Sequence, residues 1–251
     1  MRFPPRPLFA AVVLLAANLA WAEQPPPPAC PAAEAPALHL PALEAAMLEG
    51  RPATIVAFGS STTEGAGAMA PDRTYPARLE AQLKALLPHA RLQVLNRGRS
   101  GEEAPQMLER LATEVLAARP VLIIWQAGAN AVLKGLPVER FRAAMRAGIE
   151  RIKATGADLV LMDSQRAPQI LTQPDHPAFD AALGELATTE HVPLFSRAVL
   201  MRRWAAAGTP FAALLGPDGL HHNDRGYDCL ARALARAILA GLHRPALMAG
   251  R

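Results

Sequence analysis

No stretch of this sequence is apolar for long enough to cross a bilayer. The best candidate, Leu8 to Trp21, is uncharged over fourteen residues, and a spanning helix needs about 20. Clusters of five or more Lys and Arg are also missing, which excludes the basic patches that hold nucleic acid. The histidines include one adjacent pair, His221 and His222, but no second His-rich motif completes a metal shell. Cysteines number two, Cys30 and Cys229; an oxidising compartment permits a bridge between them, and their number alone does not decide whether it forms. Pro27, Pro28 and Ala29 separate Cys30 from the apolar stretch, an arrangement unlike that of a lipidated N-terminus.

What is present begins with an export signal. Arg2 and Arg6 precede the apolar run, and Ala20-Trp21-Ala22 has the Ala-x-Ala form that signal peptidase accepts. The pattern predicts a signal peptide over residues 1–22, a mature chain beginning at Glu23, and a periplasmic or secreted protein. An uncleaved anchor is the rival, and the run is short for it. Losing that segment lowers the formal charge from +4 to +2, so the nearly neutral mature chain has no electrostatic case for a polyanion partner. Seven prolines between Gln24 and Pro41 favour extended chain, and residues 23–50 read as a linker. Residues 51–243 have the length and apolar content of one well-buried domain, with a tail over 244–251.

Within that domain five short runs rich in Val, Ile and Leu alternate with helical patterns. The runs are Ala53 to Ser60, Arg91 to Asn96, Val121 to Gln126, Asp158 to Asp163 and Pro193 to Ser196. Tyr75, Leu79, Leu83 and Leu86 recur at helical spacing in the first gap, and Met107, Leu108, Leu111 and Val115 in the second. Phe141, Met145, Ile149 and Ile152 mark a third helix, and Leu183 to Ala187 belongs to a fourth. Leu230, Leu234 and Ile238 form the stripe of a last one, with Arg232 and Arg236 turned elsewhere. This alternation predicts an α/β, doubly wound parallel sheet in the order 2-1-3-4-5 with right-handed crossovers. The loops leaving strands one, two and three then converge at the topological switch point, where a site is expected.

Each of those loops carries a polar or glycine motif. The first, Gly59-Ser60-Ser61-Thr62-Thr63-Glu64-Gly65, supplies a hydroxyl nucleophile, or by itself an ordinary helix cap. In the second, Asn96-Arg97-Gly98-Arg99-Ser100-Gly101, a glycine lets a backbone N–H approach a ligand. The third, Gln126-Ala127-Gly128-Ala129-Asn130-Ala131, offers the Asn130 amide as a donor. Before the last helix stands Asp218-Gly219-Leu220-His221-His222-Asn223, whose three-residue separation lets Asp218 fix the tautomer of His221. Together they provide a nucleophile, a base, an orienting carboxylate and three oxyanion donors: the N–H of Ser61, the N–H of Gly98 and the Asn130 side chain.

Four blocks supplying Ser, Gly, Asn and His in that order resemble those of the SGNH hydrolase superfamily, the GDSL-type esterases and lipases. The resemblance spans Ile55 to the final helix. It implies a three-layer α/β/α, flavodoxin-like fold; Ser61 as nucleophile; Gly98 and Asn130 completing the oxyanion hole; and Asp218 with His221 as the Asp-x-x-His end of a triad. Two positions depart from the family pattern: Gly59-Ser60-Ser61 replaces Gly-Asp-Ser, and Asn130-Ala131 replaces Asn-Asp. Neither missing Asp is the triad carboxylate, but the hydrogen bonding around the site changes and two serines compete for one role. The spacing Gly-x-Ser-x-Thr, ending at Thr63, favours Ser61. An α/β-hydrolase elbow is excluded because Thr63 stands where its second glycine belongs.

The expectation is an exported serine esterase that cleaves O-acyl esters through an acyl-enzyme, with no metal or organic cofactor. A small-molecule or glycan ester fits export and the lack of a long apolar insertion, with acyl groups of a polysaccharide or cell-wall glycan foremost. Lysophospholipids and thioesters are the alternative substrates. A catalytically silent glycan-binding protein is the alternative outside the hydrolases, motivated by the two missing acids. Arg97 and Arg99 flank Gly98 and are candidates for attracting an anionic glycan or phosphate. Gln165, after the fourth run, is a further pocket candidate.

Overall fold

In the computed structural model, which describes residues 29–32 and 35–242, the apolar runs become five strands. These are β1 Ala53–Gly59, β2 Leu92–Gly98, β3 Leu122–Gln126, β4 Asp158–Met162 and β5 Leu194–Phe195. They pair in parallel in the order β2-β1-β3-β4-β5, as the alternation of elements predicts. β3 is buried at every residue and β1 at all but one. Strands covered on both faces read as continuous apolar runs, and Leu122-Ile123-Ile124-Trp125 is such a run. β2, at an edge, is largely half-exposed.

The helices are α1 Pro41–Leu48, α2 Ser61–Glu64, α3 Tyr75–Leu86, α4 Ala104–Arg110 and α5 Ala129–Leu133, then α6 Val138–Lys153, α7 Pro168–Leu171, α8 His176–Thr189, α9 Arg197–Ala206 and α10 Asp224–Gly241. α3 packs against α10, while α4, α6 and α8 pack in succession. Tyr75, Leu79 and Leu83 of α3 and Leu230, Leu234 and Ile238 of α10 are fully buried, and Arg232 and Arg236 are exposed. The second crossover is less regular than its spacing implies. After Arg110 the chain makes a five-residue π turn, Leu111–Val115, and a 3-10 turn, Leu116–Ala118, that keep Leu111 and Val115 inside.

The linker reading of residues 23–50 needs correcting at its C-terminal end. Leu38, Leu40, Leu43 and Ala46 are buried, and α1 packs on β1 and β4. The Leu38 N–H donates to the Ala237 carbonyl of α10 at 3.0 Å, and the Leu43 N–H to Asp158 Oδ2 at 2.9 Å. Proline content favours extended chain, but three leucines spaced to reach the core outweigh it. Cys30 and Cys229 form a disulfide with Cα atoms 5.2 Å apart, so the segment before α1 is fastened to α10. The export signal, the Pro25–Pro28 run and the 244–251 tail lie outside the described residues. Among those described, no helix is long and apolar enough to cross a membrane.

Candidate active site

β1 ends at Gly59 and the chain turns at once into α2, whose first residue is Ser61. With β2 and β3 on either side of β1, this turn sits at the switch point of the sheet. The turn is held from β3 by Gln126, which is fully buried. Its Oε1 accepts from the Ser60 N–H at 3.1 Å, the Ser60 hydroxyl at 3.2 Å and the Thr63 hydroxyl at 3.1 Å. The adjacent serines therefore part company: Ser60 faces Gln126, and Ser61 faces His221.

His221 Nε2 lies 2.8 Å from Ser61 Oγ, and its Nδ1 lies 2.6 Å from Asp218 Oδ2. Asp218 Oδ1 also accepts from the N–H groups of Leu220 and His221, each at 3.0 Å. Partial burial pushes the Asp218 carboxyl up, but the hydrogen bonds from Leu220 and His221 and the nearby imidazole prevail and hold it below its usual range. Two glutamines brace this loop by its carbonyls: Gln165 Nε2 donates to Leu220 O at 3.0 Å and Gln169 Nε2 to Asp218 O at 2.7 Å. Gln165, expected in a pocket, is instead 1% exposed and bonded to the loop.

His222 turns the other way. It is fully buried, with Nδ1 3.1 Å from Leu214 O and its ring edge-on to Tyr227. Burial above all, and then the Arg197 cation, pushes its pKa down to about 3. The two imidazoles thus have separate partners, and among the described residues no group of three or more His, Cys, Asp or Glu is arranged to hold a metal.

On the opposite rim, Asn130 stands in the first turn of α5 and its Nδ2 donates to Glu102 O at 2.8 Å, leaving the second amide hydrogen uncommitted. Gly98 does not match its expected part. It still pairs with Gly59 in the sheet, and its N–H donates to Asn96 Oδ1 at 2.8 Å. A Cβ at Gly98 would fall 1.9 Å from the Glu64 nitrogen, so this glycine lets β2 pass beneath α2. The residue free to act is Gly101, three positions on, at the loop apex with φ +77°. Its N–H, like that of Ser61, has no hydrogen-bond partner among the described residues. Ser100 on one side bonds Glu64 of α2 through its N–H and hydroxyl, and Glu102 on the other holds Asn130. The motif carried no signal for this choice, because the commitment of the Gly98 N–H to Asn96 Oδ1 is set by the folded loop.

The arginines of this loop are also engaged. Arg97 donates through Nε to Glu114 O at 3.0 Å, and Arg99 pairs with Glu114 at 2.7 Å and with Glu102 at 3.7 Å. Arg97 thus bonds main-chain oxygen, while Arg99, though paired, stays exposed. Arg110 and Gln126, which hold these loops from behind, were not singled out as functional from sequence.

Comparison with known proteins bears on the family and the fold. The non-GDSL lipase-like family matches residues 27–244. No curated protein matches the chain in sequence. Among solved structures, a lipase/acylhydrolase from Enterococcus faecalis is 24% identical, with a TM-score of 0.64 over 73% of this chain and 94% of that one. An acetylxylan esterase from Geobacillus stearothermophilus is 19% identical, with a TM-score of 0.63 over 74% and 93% respectively. A psychrotrophic esterase from Pseudoalteromonas sp. is 19% identical, with a TM-score of 0.61 over 73% and 95%. At these identities the structural likeness is one of fold. With its five-stranded sheet and a match that runs nearly from end to end, the chain belongs to the non-GDSL lipase-like family and has the SGNH hydrolase fold.

Proposed function

We propose that this protein is an exported carboxylic ester hydrolase with Ser61 as nucleophile, His221 as base and Asp218 as its orienting carboxylate. The observation that carries this reading is one imidazole joining the hydroxyl at 2.8 Å to the carboxylate at 2.6 Å. Ser61 Oγ attacks the ester carbonyl as its proton passes to His221 Nε2. The oxyanion meets the N–H groups of Ser61 and Gly101 and the spare hydrogen of Asn130. His221 then protonates the leaving alcohol, and water activated by the same ring frees the acid.

An acylated glycan is the favoured substrate. A polar cleft of about 480 Å³, with Glu103, Gln106, Glu109, Lys134 and Arg140 on its walls, adjoins the loop, and Lys134 Nζ donates to Gly101 O at 2.6 Å. Such walls suit hydroxyl groups. The lipid alternative has its own observation, an open groove of about 890 Å³ lined by Ala66, Ala68, Met69, Pro71, Ala77 and Ala81. Acetate release from acetylated xylan, against fatty-acid release from a lysophospholipid, separates the two. Ser61→Ala is expected to abolish both p-nitrophenyl acetate turnover and labelling by a fluorophosphonate; retention of wild-type rates would reject the site. A glycan-binding protein without catalysis predicts no labelling even in the parent.

A further inference from the structure

Arg110 plays no part in the chemistry above, yet its guanidinium bonds the end of β1 before Ser61 and the loop that carries Gly101, and through Glu102 it is linked to Asn130. We propose that Arg110 is a positioning residue for the oxyanion hole, an inference that rests on the hydrolytic reading of the site. The side chain ends α4 and is 6% exposed. Its Nη2 donates to Gly59 O at 3.2 Å and Arg97 O at 3.0 Å, the carbonyls just before the Ser60–Ser61 turn and just before Gly98. Nε meets Glu102 Oε2 at 2.7 Å, Nη1 meets Glu114 Oε2 at 3.1 Å, and the guanidinium lies over the Phe58 ring, 4.7 Å from its centroid.

Glu102 transmits the effect. Its carboxylate is held by Arg110, its main-chain oxygen receives Asn130 Nδ2 at 2.8 Å, and the Gly101 peptide directly precedes it. Fixing one carboxylate therefore orients two of the three donors at once, while Gly59 O ties the same guanidinium to the turn that carries the third. Only the flat, five-donor fork of arginine reaches all four acceptors. A buried ion pair of this kind adds little net stability over an apolar side chain, so geometry is the better account of it. The π turn that follows Arg110 carries Glu114 round to the guanidinium, and such turns occur often at functional sites. None of the contacts of Arg110 reaches the Asp218–His221 loop, so its loss should leave the acid–base pair untouched.

Arg110→Lys keeps the charge and loses the fork. In the full chain it is expected to lower kcat on p-nitrophenyl acetate about 100-fold, the scale of a small misplacement of catalytic groups. KM should stay within about twofold and the pH profile should not move, because ground-state binding and the base are unaffected. Coupling is the decisive readout: the losses from Arg110→Lys and Asn130→Ala should fall well short of multiplying, since the donor that the second removes is one of those the first misplaces. Losses that multiply, or a shifted pH profile, would overturn the assignment. If Arg110→Lys fails to fold by circular dichroism, Glu102→Ala in place of it should show the same coupling to Asn130→Ala, and multiplied losses there overturn the proposal equally. Wild-type turnover by Ser61→Ala would instead remove the reading of the site beneath it.

Discussion

Around Gly101 the chain from 97 to 103 is fastened by ions, with Arg99 and Arg110 pairing with Glu102 and Glu114. Around His221 the fastening is neutral: Gln165 and Gln169 hold the carbonyls of Leu220 and Asp218, and Asn223 Nδ2 holds that of Leu215 at 3.0 Å. The contrast fits what each rim would do in the proposed reaction. Donors to an oxyanion keep one protonation state throughout turnover, so fixed charges can hold them tightly without interfering. An imidazole must gain and lose a proton in every cycle, and a strong field from its supports would bias that exchange. Asp218 is the one charged side chain bonded to the 216–222 loop among the described residues, and it is the one whose charge the proposed reaction would use.

The comparison can be broken most sharply at Asp218. Asp218→Asn should lower kcat by about 10⁴-fold with KM little changed, because the wrong imidazole tautomer then faces Ser61; a loss under tenfold would mean that another group sets the tautomer. Gln165→Leu tests the neutral brace. It should cost about tenfold in kcat, less than Arg110→Lys, since Gln169 and the Asp218 hydrogen bonds still hold the loop. A loss as large as that of Arg110→Lys would erase the distinction between the rims.

The smallest effect on rate belongs to His222, and it appears in stability. Its folded pKa of about 3 lies below the ordinary 6.5, so between those values the unfolded chain binds a proton that the native state refuses. Unfolding free energy therefore rises with pH across that window and is lost as pH falls through it. His222→Asn should flatten this acid limb in urea titrations while leaving kcat near that of the parent. An acid limb as steep as before would assign the lost stability to other groups, such as the depressed carboxyl of Asp218.

Ser61, Asp218 and His221 were legible because each sits in a short motif, and the Asp-x-x-His spacing brings two of them together locally. The order of strands was legible because runs and helical spacings alternate without interruption. Gly98 was misread since a motif shows a glycine's presence but not whether its N–H is already committed. Arg97 and Arg99 read as outward charges because Glu114, which takes them, lies fifteen or more residues further along. Arg110 and Gln126 were silent for a related reason: an arginine in a helix or a glutamine at a strand end is ordinary until its burial is known. Leu38, Leu40 and Leu43 were hidden in a proline-rich context whose composition pointed to loose chain.

By itself the sequence determined periodicity and chemistry: which stretches alternate as strand and helix, and which side chains can attack, accept a proton or stabilise an anion. Those properties reside in neighbouring residues and survive in any listing of them. Tertiary structure decided the rest. It brought Ser61 rather than Ser60 to an imidazole 160 residues away, joined Cys30 to Cys229, and paired Arg99 with Glu114. The physical reason is that hydrogen bonds and ion pairs act over a few ångströms of space, and no local pattern records which distant residues the packed sheet will place within that reach.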